Sequence, residues 1–137
     1  MKKTVTTIEE SRKLLELGIN PLTYDAHYRY WADSLGDAVE QYPILEQADS
    51  TCCKFVPAWS AGALLEALPV ISEDIRPVIE RCWNGKFACK YLEFDEVEGT
   101  AKVYSRRFGD TPVDAAFAMA VLMLKQQKEK EEEQDEI

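Results

Sequence analysis

Seven residues in the middle third of the chain have the types that could meet a charged, aromatic ligand: Arg81, Trp83, Lys86, Lys90, Lys102, Tyr104 and Arg106. Cations neutralise phosphates and aromatic faces stack on bases, so such interleaving on one surface suits single-stranded nucleic acid. The competing reading is structural. Long Lys and Arg stems lie over aromatics, as Lys86 over Trp83 would, while acidic neighbours balance the heads. The acidic N-terminal half could also cover this surface.

The other reactive residues make weaker sets. Cys52 and Cys53 are adjacent, and two vicinal thiolates cannot build a tetrahedral metal site alone. Cys82 and Cys89 fall one step out of register across the expected hairpin. Reduced core thiols are therefore favoured over a zinc or redox centre. His27 is the sole histidine. A Cys53–His27 hydrolase pair would need a proximity that spacing does not supply, and Tyr28 and Tyr30 beside it suggest an aromatic cluster instead. Asp95, Glu96 and Glu98 lack the length and alternating oxygen ligands of a calcium loop and read as a solvated hairpin tip. No phosphate-binding glycine loop or dinucleotide fingerprint is present. These readings favour a non-enzymatic protein with no cofactor and no metal.

The 137 residues suit a single domain large enough to bury a core without disulfides. The formal net charge of −9 disfavours non-specific nucleic-acid binding by the whole surface. Residues 76–108 alone are basic in balance, with 7 Lys and Arg against 5 Asp and Glu. The opening MKKTVTTIEE has no apolar core of a secretion signal, which with reduced thiols implies a cytoplasmic protein.

Four elements must position the candidates. A first helix is expected over residues 8–17, capped by Thr6 or Thr7 with Glu9 or Glu10, and closed by Gly18, Ile19 and Pro21. A second is expected over 61–68, with Ser60 as cap, Trp59 and Leu64 as hydrophobic staple, and Pro69 as stop. Residues 77–108 predict a three-stranded antiparallel meander. Its first turn is the Asn84-Gly85 pair, read as a two-residue loop opposing Cys82 to Phe87, Glu80 to Cys89 and Val78 to Tyr91. With residues 95–99 as the second loop, Ala101 and Val103 join Val78, Cys82, Phe87, Cys89 and Tyr91 on one apolar face. The seven candidates then share the opposite face with Ile79 and Leu92. Lastly, Thr111, Pro112 and Asp114 form a capping arrangement before a strongly apolar helix over 112–124, expected across the apolar sheet face. Its apolar run is far below the ~20 residues that span a membrane.

Between these elements, residues 20–50 predict irregular structure held by aromatics, with a short helix over 24–31 and a helical turn within 36–47 limited by Pro43 as options. Residues 125–137, KQQKEKEEEQDEI, read as a charged tail outside a 1–124 domain, a solvated helical extension that frays or is disordered. The expected core is Leu14, Leu15, Trp59, Leu64, Leu68, Cys82, Phe87, Cys89, Tyr91, Val103, Phe117, Val121 and Leu124. The fold class expected is α+β: a three-stranded antiparallel meander, a C-terminal helix on one face, and one or two N-terminal helices.

Three stretches together carry a family likeness: ESRKLLELGINP over 10–21, PAWSAGALLEALP over 57–69, and GDTPVDAA over 109–116 followed by an apolar helix. In order and extent they resemble a family of small uncharacterised proteins of phages, prophages and mobile elements of anaerobic gut bacteria. The acidic ending departs from that family's Trp-containing, Gly-Tyr terminus. The resemblance implies an accessory mobile-element protein and no defined activity. Residues 78–124 are also similar, at the level of fold, to HicB-type antitoxins, without the C-terminal DNA-binding module of that family. The expected role is that of an interaction protein with a host or phage protein as partner. Single-stranded nucleic acid is the alternative, a small hydrolase is a third reading, and homodimerisation is open.

Overall fold

The computed structural model describes residues 3–32, 38–47 and 55–135. Cys52 and Cys53 lie outside them. The elements run α1 (Ile8–Glu16), a 3₁₀ turn (Pro21–Thr23), β1 (Ala26–Ala32), β2 (Ala38–Gln47), β3 (Phe55–Ala58), α2 (Ala61–Ala67), β4 (Ile75–Arg81), β5 (Phe87–Asp95), β6 (Thr100–Gly109) and α3 (Pro112–Asp135). The class is α+β, with two three-stranded antiparallel sheets ordered β2-β1-β3 and β4-β5-β6.

The helix ends follow their local chemistry. Thr7 closes a complete capping box: its hydroxyl accepts the Glu10 N–H, and the Glu10 carboxylate accepts the Thr7 N–H. At the other end, Ile19 N–H donates to Leu14 C=O and Gly18 N–H to Leu15 C=O. With Gly18 at φ 92°, this is the paired-bond ending in which a left-handed glycine exposes the last carbonyls to two amides. Ser60 caps α2 by accepting the Ala63 N–H, and Asp25 in turn accepts both the Ser60 N–H and its hydroxyl.

Thr6 has a separate task. It is fully buried, shares a hydrogen bond with the Ser11 hydroxyl, and accepts the Trp59 N–H. Its own N–H donates to Trp59 C=O, so the chain before α1 is tied to the β3–α2 junction.

α3 lies across one face of the β4-β5-β6 sheet, and α2 packs on α3. Leu14, Trp59, Leu64, Cys89, Tyr91, Val113, Ala116, Met119 and Leu124 belong to a single core. Tyr91 reaches through it to donate its hydroxyl to Pro69 C=O at 2.8 Å. Gly109 is required where strand turns into helix. A Cβ there would stand 2.4 Å from the Ala115 nitrogen, because the first turn of α3 folds back onto the end of β6.

Several expectations are corrected. The segment expected to be irregular, or helical over 24–31 and within 36–47, forms β1 and β2 of the second sheet. Pro43 and Pro57 fall on its two edge strands, where a missing N–H does not break an inner ladder.

The Asn84-Gly85 reversal is present but one residue longer than a two-residue turn. Gly85 N–H donates to Cys82 C=O and Cys82 N–H to Lys86 C=O, with Gly85 at φ 81°: a three-residue loop with a glycine bulge. Arg81 therefore opposes Phe87, and Cys89 opposes Ile79. Ile79, expected on the far face, turns to the core, and Val78 turns away from it.

A second slip lies in β6, between the pairs Tyr91–Ser105 and Leu92–Val103, leaving Tyr104 as an extra residue. Val103 therefore faces away from α3, is 49% exposed, and is not core. Nor is Leu15, which lies on the solvent side of α1. Phe117 and Val121 flank the core half-buried, while Met119 and Met123 fill it.

The helix over 112–124 continues to Asp135, and residues 125–133 are exposed.

Candidate functional site

The strand registers divide the β4-β5-β6 sheet into two unlike faces. Phe87, Cys89 and Tyr91 look toward α3, with Ile75 and Ile79 beside them. The face opposite is laid out in rows across the three strands. Arg76 opposes Leu92, which opposes Val103. Val78 opposes Lys90, which opposes Arg106. Glu80 opposes Ala88, which opposes Phe108. Phe94, opposing Ala101, continues it.

This second face is open and mixes apolar with basic side chains. Phe108 is 55% exposed and Phe94 40%, and Leu92 and Val78 are half-buried. Only the small Ala88 is fully covered. No element among the described residues packs across it. Isolated exposed apolar residues are ordinary on a protein surface; a contiguous set across three strands marks a contact surface.

Lys90 and Arg106 form a row of charge between the Ala88–Phe108 and Leu92–Val103 rows. Lys90 and Arg106 are directly opposed, an unfavourable like-charge pairing. Lys90 resolves it by pairing with Glu80 on the neighbouring strand. Arg106 instead lies over the Phe108 ring, 5.3 Å from its centroid. Arg106 makes no ion pair among the described residues, so the face retains unbalanced positive charge.

The seven residues expected to share one face do not. Lys90 and Arg106 lie on the open face. Arg81, opposite Phe87, and Lys102, opposite Glu93, fall on the α3 side of the sheet. Trp83 and Lys86 sit in and beside the turn, with Trp83 98% exposed, and Tyr104 is the bulge residue. The residues missed by sequence reasoning are Arg76, Val78, Phe94, Val103 and Phe108. The signal for them was the alternation in β5 of Ala88, Lys90, Leu92 and Phe94 against Phe87, Cys89 and Tyr91, which makes both faces partly apolar.

The remaining candidates do not assemble into a reactive centre among the described residues. His27 is buried in β1. Cys89 is sealed in the core, and burial pushes its thiol up to about 11, which removes the thiolate at neutral pH. Cys82 is a half-buried free thiol. No group of three or more His, Cys, Asp or Glu among the described residues could hold a metal ion. Asp95 accepts the N–H groups of Val97 and Glu98, shaping the hairpin tip it was expected to occupy. A cavity of about 440 Å³ opens beside the start of α3, lined by Lys3, Arg81, Phe87 and Thr111. Lys3 is already engaged there by Glu10 at 2.6 Å and Asp114 at 2.5 Å.

No described helix is long and apolar enough to cross a membrane. No family model, curated protein or solved structure matches the chain.

Proposed function

We propose that this chain is a non-enzymatic interaction protein that docks a partner protein on the open face of the β4-β5-β6 sheet. One observation carries the reading: the sheet face turned away from α3 presents Val78, Leu92, Phe94, Val103 and Phe108 with no element among the described residues across them. A sheet apolar on both faces is ordinarily covered on both. Aromatic and aliphatic side chains flanked by arginine are also the composition of interface centres. Arg76 stands at the β4 edge of this surface, and Arg106 lies between Val103 and Phe108. The order of the three motifs over 10–21, 57–69 and 109–116 supports an accessory role in a phage or other mobile element, with a host or phage protein as the partner.

Photo-crosslinking tests this. A benzophenone side chain in place of Phe108 should capture a discrete protein from host lysate at low salt, and one in place of Glu16 on α1 should not. Capture at neither position, or equally at both, overturns the docking face. Leu92→Asp should abolish capture at Phe108.

Single-stranded nucleic acid remains the second reading, supported by Arg106 over Phe108 and the adjacent Lys90. It predicts a gel shift with short single strands at low salt that Lys90→Glu plus Arg106→Glu removes. No shift rules it out.

A further inference from the structure

The two edges of the β4-β5-β6 sheet are treated differently. β4 carries Pro77 as its third residue, which removes a backbone donor and blocks continuous pairing on that side. β6, the other edge, runs ten residues with no proline, and eight of them are exposed. An edge strand turns alternate N–H and C=O groups outward, so β6 offers a template for one more strand. One outward carbonyl, that of Arg106, is met only by the exposed guanidinium of Arg107 at 3.3 Å.

The side chains of β6 specify what that strand must be. Lys102, Arg106 and Arg107 make it positive, with no acidic residue between Thr100 and Gly109, in a chain of net charge −9. None of the three has an ion pair within 4 Å among the described residues. The pairing register places Lys102 and Arg107 on the α3 side of the sheet and Ala101, Val103 and Phe108 on the open side. A bulge and edge cations are also how proteins keep an edge from pairing indiscriminately. That purpose alone would not leave Val103, Tyr104 and Phe108 in solvent alongside them.

We infer that β6 accepts an extended peptide strand of alternating apolar and acidic residues. Its apolar side chains continue the Val103–Phe108 surface, and its carboxylates face Lys102 and Arg107. This rests on the interaction reading above and names the partner's docking segment. Backbone pairing supplies the geometry, and alternate side chains supply the specificity. A second copy of β6 is a poor occupant. Paired antiparallel, it would gather Lys102 and Arg107 of both copies on the α3 side of the sheet, with no acidic residue of β6 between them.

The test uses the full chain and three labelled synthetic peptides: an eight-residue Val-Glu alternation, a peptide of the same composition with the four Val and four Glu in separate blocks, and a Val-Lys alternation. The alternating acidic peptide should bind, protect β6 amides from hydrogen exchange, and weaken as salt rises. The block peptide should bind at least about tenfold more weakly, as should the acidic alternation to Lys102→Glu plus Arg107→Glu, since charge-assisted contacts carry about that much each. Circular dichroism confirms that the variant folds. Equal binding of the block peptide, no binding of the acidic alternation, or its displacement by oligouridine overturns the inference. So does concentration-dependent protection of β6 without peptide, which would identify a second copy. If Phe108 still captures a partner while the peptide fails, the strand inference falls and the interaction reading stands. If neither binds, both fall.

Discussion

Individual residues show where local chemistry is decisive. Gly109 has ordinary backbone angles, so its need for a missing side chain arises from the helix folding over it. Gly109→Ala should push the start of α3 off the strand end and destabilise the fold by about 1–3 kcal/mol, read from urea midpoints at constant m. Asp114 illustrates a balance. Partial burial alone would raise its carboxyl, but hydrogen bonds from Lys3 and Thr111 outweigh this and hold it below its ordinary value. A folded value below the unfolded one gives stability that is present at neutral pH and lost as pH falls through the folded value. Burial likewise pulls the Lys3 amine down, while Asp114 and Glu10 more than compensate and raise it. Asp114→Asn should therefore cost stability at neutral pH, with the gap from the parent chain closing as acid protonates Asp114 in the folded chain. The pair is partly solvated, so Lys3→Met should cost under about 1 kcal/mol. In a chain carrying Cys52→Ser and Cys53→Ser, iodoacetamide should label Cys82 and spare Cys89, because only Cys89 is sealed in the core. Labelling of Cys89 at the same rate would show that the sheet–helix layer opens readily.

At the level of elements, helix ends were legible because each depends on residues a turn apart. Thr7 with Glu10, Gly18 with Ile19, and Ser60 are all found in the expected roles. Thr7→Ala should cost about 1 kcal/mol, measurable as a shift in thermal midpoint. The strands were harder. The Asn84-Gly85 pair announces a reversal, yet two- and three-residue loops both accept it, and the extra residue exchanges the faces of β4. Here the Asn84 side chain accepts the Lys86 N–H and Gly85 carries a positive φ of 81°, which suits the longer loop. The bulge at Tyr104 has no local signature of its own, and it moved Val103 out of the core. β1 to β3 were hidden differently. Pro43 and Pro57 argue against strands until the order β2-β1-β3 places both on edges.

Across the whole molecule, α3 joins the layers: one side covers the β4-β5-β6 sheet and another receives α2, while α1 touches it and β3. Among the described residues no element covers the sheet's far face. Val103→Ser and Phe108→Ser should leave the thermal midpoint within a few degrees, because both side chains are already half in water. The same changes should sharply reduce partner capture at a benzophenone placed at Leu92. A large loss of stability from either would mean that this face is packed in the free protein.

The amino-acid order by itself determined α1, α2 and the start of α3, the caps of α1 and α2, the two reversals of the β4-β5-β6 meander and the α+β class, because each rests on hydrogen bonds and apolar spacing within a few residues. It did not determine which face of the sheet each side chain joins. That depends on one inserted loop residue and one bulge, and a strand's side chains alternate with period two, so a shift of one residue sends Lys102 and Arg81 to one side and Val103 and Arg106 to the other. Only the assembled pairing of β4, β5 and β6 selects among registers that local sequence leaves nearly equal, and the open face exists as a consequence of that selection.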